Sequence, residues 1–331
     1  MRNGVQIDGF HKGVAYGSVA KRLSKSGMNV NSLRTLATLR RDEWIEFDEA
    51  VLKAAQLRLN GVADLLSLGL VAHTNGLGTT VFEYENQSDF TPAQVSMDAI
   101  TRGLKDRVNF ETNYLPLPII HHDFTINARV LEASRNRGMS LDVSNAEMAA
   151  RKVAEAAETM LFTGANSLNF GGGVLYGYTD FPFRSVRTLT LAWDDASKTG
   201  AQILADVQGM KQDAINDRHF GPFKLYVPTA YESALDDDYD TAGLSNSLTI
   251  RERILKLENI TSISVSDFLT ADNVLLVEMN SETIRMIQGL PVTTVEWDTE
   301  GGMQHQYKVM TILVPQPRAD QEERSGIVHL S

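Results

Sequence analysis

Apolar residues between positions 42 and 69 recur in steps of three and four: Trp44, Phe47, Val51, Ala55, Leu59, Val62 and Leu66. That period places them on one stripe of an amphipathic helix. Asp42, Glu43 and Glu46 crowd its first turn, where negative charge suits the helix dipole, and Gly69 is a natural stop. The period then falls to two. "GTTVFEYEN" sets Phe82 and Tyr84 against Glu83 and Glu85, and "RVNFETNY" aligns Val108, Phe110, Thr112 and Tyr114 on one strand face. A polar stretch with Pro92 and a short helical patch near Ala93–Leu104 lies between them. Two strands with so little apolar sequence between them predict an arm that projects from the body and needs another surface to lie on.

The clearest element follows in "LDVSNAEMAARKVAEAAETMLFTGA". Ser144 and Glu147 have capping-box spacing, good helix formers continue, and Gly164 ends the run. Ala149, Val153, Ala156 and Met160 form the stripe expected to be buried, whereas Glu158 lies off it, so Glu158→Lys is expected to be milder than Val153→Asp. Beyond come a glycine-rich turn at Gly171–Gly173, a helix around Ala196–Asp217, a buried strand in "FKLYVP" and a helix near Leu248–Leu257. Strands are expected at "ITSISVS" and "NVLLVEM", then a hairpin turning at Gly301–Gly302, and a last strand "GIVHL". Helices and strands mix without a βαβ rhythm or a solenoid repeat, which predicts an α+β protein.

Composition narrows the chemistry. The 331 residues contain no cysteine, which excludes disulfides, thiol nucleophiles and cysteine-ligated zinc. The N-terminus has no apolar core of signal-peptide length, and the longest apolar run, around Val62–Ala72, is too short to span a membrane, so a soluble protein is expected. The net charge of −11 is unevenly spread. Arg2, Lys12, Lys21, Arg22, Lys25, Arg34, Arg40 and Arg41 face Asp8 alone within residues 1–41, giving that segment +7 and the remainder −18. A basic arm on an acidic body suits a polyanion or an acidic partner.

Individual motifs give little support for an enzyme. In "LPLPIIHHDFT", His121 and His122 point to opposite faces of a strand, so a hydrolytic centre built on His121 and Asp123 is the remote alternative. Asp236, Asp238 and Asp240 have calcium-loop spacing, but Thr241 and Ser247 stand where an EF-hand needs glycine and glutamate. Gly171–Gly173 match neither a dinucleotide fingerprint nor a phosphate loop, and Ser18–Lys21 lacks a partner motif. No catalytic residue, cofactor-binding residue or metal ligand is assigned.

The order of segments is itself familiar. "PLPIIHHDFTINARVLEASRNRGMSLDVSNAEMAARKVAEAAETMLFTG", with Asp123–Phe124, Arg129, Glu132 and Leu141–Asp142, resembles the region of encapsulins and tailed-phage capsid proteins that leads into their spine helix. "ARKVAE", "LFTG", "GPFKLYVPTAYES" and "NVLLVEMNSETIRMIQGLPVTTVEWD" continue the likeness in order from about residue 42 to the carboxyl terminus. The resemblance implies a Hong Kong 97-type capsid fold. Residues 1–41 would be the basic N-terminal arm, 42–69 a helix of the peripheral region and 70–113 the E-loop. Residues 114–165 would be the peripheral domain with its spine helix, 166–290 the axial domain and 291–331 the return to the peripheral domain.

Function follows from the same likeness. It implies a major capsid protein, assembled in a host cytoplasm into pentamers and hexamers of an icosahedral virion shell around double-stranded DNA. The alternative is an encapsulin shell around a cargo enzyme. Either is a structural protein, with a portal, a separate scaffold and a decoration or cement protein among the partners the resemblance admits, and no membrane. The +7 arm favours DNA, because packed phosphates attract cations. Phe82, Tyr84, Val108 and Phe110 become the expected E-loop contacts between subunits. Lys105, the one lysine within 70–113, sits beside Asp106 near the loop's base, which points to a non-covalent shell.

Overall fold

The computed structural model describes residues 48–53, 60–87, 93, 95, 97, 107–137, 144–239, 248–300 and 303–331. The basic arm and its eight cations, Trp44, Phe47, Lys105, Asp106, Asp240 and the Gly301–Gly302 turn all lie outside them.

In chain order, a helical piece at 48–53 precedes α1 (Asn60–Ser67), β1 (Val71–His73) and the hairpin of β2 (Val81–Gln87) with β3 (Phe110–Pro116). Then come β4 (Ile120–Asn127), α2 (Ala128–Arg137), the 20-residue α3 (Ser144–Thr163) and a small hairpin, β5 (Ala165–Phe170) with β6 (Gly173–Leu175). Next are β7 (Ser185–Arg187), α4 (Gly200–Asn216), β8 (Phe223–Pro228), α5 (Glu232–Asp236) and α6 (Ile250–Leu255). The chain closes with β9 (Ile260–Ser266), β10 (Val274–Glu278), the long β11 (Ile284–Thr299) and β12 (Gln304–Pro317), and β13 (Ile327–Leu330). It divides into two compact units, one of residues 1–80, 117–161 and 286–315, the other of 81–116, 162–285 and 316–331.

The first unit holds a four-stranded sheet ordered β1-β11-β12-β4, with β1 parallel to β11 and β4 antiparallel to β12. In α3 the buried side chains are Ala146, Ala149, Ala150, Val153, Ala154, Ala157, Glu158, Met160, Leu161 and Phe162. This stripe is broader than the one expected, and Ala156 is exposed rather than buried. A true 3.6-residue period rotates Ala157 inward and Ala156 outward. In α1, likewise, Leu65 is fully buried while Leu66 is 37% exposed.

The second unit carries a five-stranded sheet ordered β7-β13-β10-β8-β9. Its β8 and β9 are parallel and joined through α5 and α6, a crossover that the sequence pattern does not predict. Phe223, Leu225 and Val227 of β8 join Trp193, Ile203, Val207, Met210, Ile254 and Leu276 in one apolar cluster. Tyr226, on the other face of β8, meets Phe162 and Tyr178, with ring centroids 5.2 and 6.1 Å away. The strand is therefore covered on both sides. α4 starts at Gly200, later than expected, because Thr199 and Gln202 close a capping box there.

Candidate functional site

The β2/β3 hairpin is the element whose sequence most needed an external explanation. Its register pairs Phe82 with Leu115, Tyr84 with Asn113 and Glu83 with Tyr114. With alternation of side chains, Phe82 and Tyr84 share one face, while Phe110, Thr112 and Tyr114 share the other with Glu83 and Glu85. The two faces differ in exposure. Phe82 and Tyr84 are half-buried within their own unit, where the Arg285 guanidinium lies 5.8 Å from the Phe82 ring. Phe110 and Tyr114 are 58% and 42% exposed, and Val95 and Met97 are open to solvent. The four expected contact residues thus do not form one surface: Phe110 belongs to the open face, Phe82 and Tyr84 to the covered one, and Val108, half-buried, precedes β3.

The hairpin's base is held by the β5/β6 turn. A Cβ on Gly173 would lie 2.2 Å from the Tyr114 carbonyl oxygen, so only glycine lets the two hairpins touch. That contact gives the glycine cluster its role, and it is structural. At the end of α3, Gly164 adopts φ 70° with the Asp180 carboxylate packed where a side chain would be.

Glu158 overturns an expectation. It is fully buried, and its carboxylate accepts hydrogen bonds from the backbone N–H groups of Gly61 and Val62, the latter at 3.1 Å. A side chain of α3 therefore caps the first turn of α1, where unsatisfied donors and the positive dipole end both favour an acceptor. Burial, opposed by these hydrogen bonds, still pushes its carboxyl up to about 7. Asp48 is also pushed up to about 7 by burial, with the Thr294 hydroxyl working the other way. Sequence periodicity could not flag Glu158, because an isolated glutamate among alanines reads as a solvated helix position.

The chemical candidates separate. His121, His122 and Asp123 lie on the edge strand β4, all exposed. The His121 ring is 3.5 Å from the Asp123 carboxylate, which also faces Lys308 at 3.4 Å. Asp236 pairs with Arg251 at 2.9 Å, and Asp238 bridges to Thr249, so these two serve a loop closure. A ligand-type cluster that the sequence reading missed is Glu296, Asp298 and His305, whose donor atoms lie within 4.8 Å of one another. Its signal was the i, i+2 spacing of the two acids on a strand returning past a histidine. His305 Nδ1 is already bonded to Asp298 at 2.6 Å, and the Tyr307 hydroxyl donates to Glu296 at 3.3 Å. A metal ion would have to displace the first of these.

A cleft of about 470 Å³ in the second unit is lined by Trp193, Asp194, Asp195, Lys198, Asp237 and Asp238 among others. Asp206 ties down Lys198 at 2.7 Å and the Trp193 indole N–H at 3.0 Å. Two histidines in this unit are structural. His219 bonds Glu278, which also accepts from Gly221 N–H and Thr283; burial raises that carboxyl, but the His219 and Thr283 hydrogen bonds and the His219 charge bring it below its usual range. His329 accepts from Arg184 at 3.2 Å and faces Asn273 at 2.7 Å; burial, then the Arg184 charge, lowers it to about 4. Among the described residues no helix is long and apolar enough to cross a membrane.

Residues 31–330 match a family model described as a family of unknown function, DUF6260. The type 1 encapsulin shell protein EncA of Myxococcus xanthus (strain DK1622) is 28% identical over 218 residues, 65% of this chain and 69% of that protein. The virus-like particle of Pyrococcus furiosus superposes with a TM-score of 0.62 at 18% identity, over 86% of this chain and 98% of that one. The capsid of Myoviridae phage XM1 gives 0.61 at 12%, over 79% and 89%. The fold is the Hong Kong 97-type capsid fold common to these particles.

Proposed function

Starting from a chain that belongs to the DUF6260 family, a family of unknown function, we propose that it is the repeating subunit of a closed icosahedral shell. One observation carries this reading: the fold likeness spans 86% of this chain and 98% of the virus-like particle subunit, so the whole shell module is present. The open face of the hairpin supports it, since exposed Phe110 and Tyr114, with exposed Val95 and Met97 between the two strands in sequence, are what a lattice neighbour would cover. On this reading the hairpin is the E-loop, α3 the spine helix, and the five-stranded sheet the axial domain. The protein is structural rather than enzymatic, and its main partner is itself.

For the contents of the shell, the +7 of residues 1–41 favours double-stranded DNA and thus a phage major capsid protein. The likeness to an encapsulin over 218 residues favours the second reading, a shell around a cargo enzyme. Purified particles separate the two. Nuclease-protected DNA that falls when Lys21, Arg22 and Lys25 are neutralised, with the shell intact, supports the capsid. Particles free of nucleic acid that co-purify with one stoichiometric protein support the encapsulin.

A further inference from the structure

Beneath the covered face of the hairpin, four side chains from separate segments converge with an excess of donors. Arg285 lies at the start of β11, Gln316 at the end of β12, Arg318 just beyond it, and Tyr84 comes from β2. Arg285 Nε donates to Gln316 Oε1, and Arg318 Nη1 donates to the Ser281 carbonyl at 3.3 Å. Gln316 is fully buried beside the Tyr84 phenol, and the buried Nε of Arg318 has no acceptor. Among the described residues no carboxylate lies within ion-pair distance of either guanidinium. Burial and the neighbouring Arg318 charge both push the Arg285 guanidinium down, with only the Tyr84 phenol opposing. Tyr84 is raised by its own burial, while Arg318, Gln316 and Arg285 act to lower it.

Such a cluster is incomplete. Two like charges share a partly dry space, and the buried Nε–H of Arg318 has no acceptor, each an uncompensated cost. What completes it is an oxyanion, because a carboxylate takes bidentate guanidinium bonds and accepts from an amide and a phenol together.

We infer that Arg285, Arg318, Gln316 and Tyr84 form an oxyanion site filled by an aspartate or glutamate carboxylate of a neighbouring copy of this chain. The occupant follows from two facts. Outside residues 1–41 the chain carries −18, so a neighbouring copy offers carboxylates in excess. The site also lies at the base of the hairpin whose opposite face and distal residues are bare, on the element proposed to meet a neighbour. The inference rests on the shell reading for its occupant, but not for the existence of the site.

The test uses the full chain as assembled particles and as dissociated subunits, with three variants. Unassembled wild-type subunits should melt higher in sodium sulfate than in sodium chloride of equal ionic strength, and Arg318→Gln should abolish the difference. Gln316→Glu supplies a carboxylate within the chain. It should raise the melting temperature of the subunit while making shells dissociate at lower denaturant. Arg318→Gln and Arg285→Gln shells should dissociate about ten-fold more readily than wild type. No sulfate effect, or a subunit destabilised by Gln316→Glu, would overturn the site. A sulfate effect with variant shells as durable as wild type would overturn the neighbour's carboxylate and leave a free oxyanion as ligand. Intact variant shells that lose nucleic acid would overturn it in favour of phosphate. A wild-type chain that never assembles would refute the shell reading, while the sulfate arm would still decide the site.

Discussion

β8 and β3 are strands of similar length with different fates. All of Phe223–Pro228 is buried, one face against α4 and α6 and the other against Phe162 and Tyr178. Phe110–Pro116 has one partner strand, and its Phe110 and Tyr114 stand in solvent. A two-stranded ribbon is marginal without a covering surface, whereas a central strand of five is stable where it lies. The five-stranded sheet is thus complete within one chain, whereas on the proposed shell reading the hairpin is completed by another.

The largest effect is expected in neither strand but in the buried glutamate of α3. Glu158→Lys removes the acceptor that caps α1 and buries a cation against backbone donors, which should cost about 4 kcal/mol or more and abolish soluble protein. Glu158→Gln keeps one acceptor and should cost only about 1–2 kcal/mol in denaturant unfolding. A soluble, normally stable Glu158→Lys chain would mean that α3 is not packed as described.

Core truncation sets the scale for a self-sufficient strand. Leu276→Ala, in the apolar cluster beside β8, should cost roughly 2–5 kcal/mol in dissociated subunits. A loss under about 1 kcal/mol would blur the contrast with the hairpin.

The pH dependence is smaller. Glu158 and Asp48 both sit near 7 in the folded chain against ordinary values of 4.5 and 3.8. Folding therefore takes up protons between about pH 4 and 7. Their contribution is full below the ordinary values and is lost as pH rises through 7, by at most about 3 kcal/mol for Glu158. Subunit stability measured across that window should fall, and Glu158→Gln should flatten the slope. A stability that rises steadily from pH 5 to 7.5 in both proteins would contradict this.

The smallest effect on the subunit is at the arm. Phe110→Ser should change the unfolding of dissociated subunits by less than about 0.5 kcal/mol, because the residue is largely exposed within its own subunit. The same change should sharply reduce assembly yield in light scattering. An unfolding loss comparable to that of Leu276→Ala would place Phe110 in the subunit's own core.

These cases show which features the sequence revealed. Period and strand alternation sufficed for α3, β8 and the hairpin, because each carries its signal in adjacent residues. The parallel β8–β9 pair was hidden, since the crossover passes through two short helices that dilute any rhythm. Glu158 and Gln316 were invisible for a different reason, and the Glu296, Asp298 and His305 cluster showed only as two acids spaced i, i+2. Their meaning lies in partners 96 to 97, 31 and 7 to 9 positions away, and only folding supplies those. Ala156 was misplaced by one residue of helical phase, the smallest error a stripe can carry.

The central question is whether the hairpin's open face belongs to a neighbour. Mass photometry of freshly purified wild-type chain beside Phe110→Ser and Tyr114→Ser tests that directly. Megadalton wild-type particles of closed outline, with both variants shifted toward capsomers or free subunits, are the predicted result. A wild-type species that stays at 36.6 kDa under all salt conditions and with any required scaffold supplied, or variants that assemble as the wild type does, would contradict it.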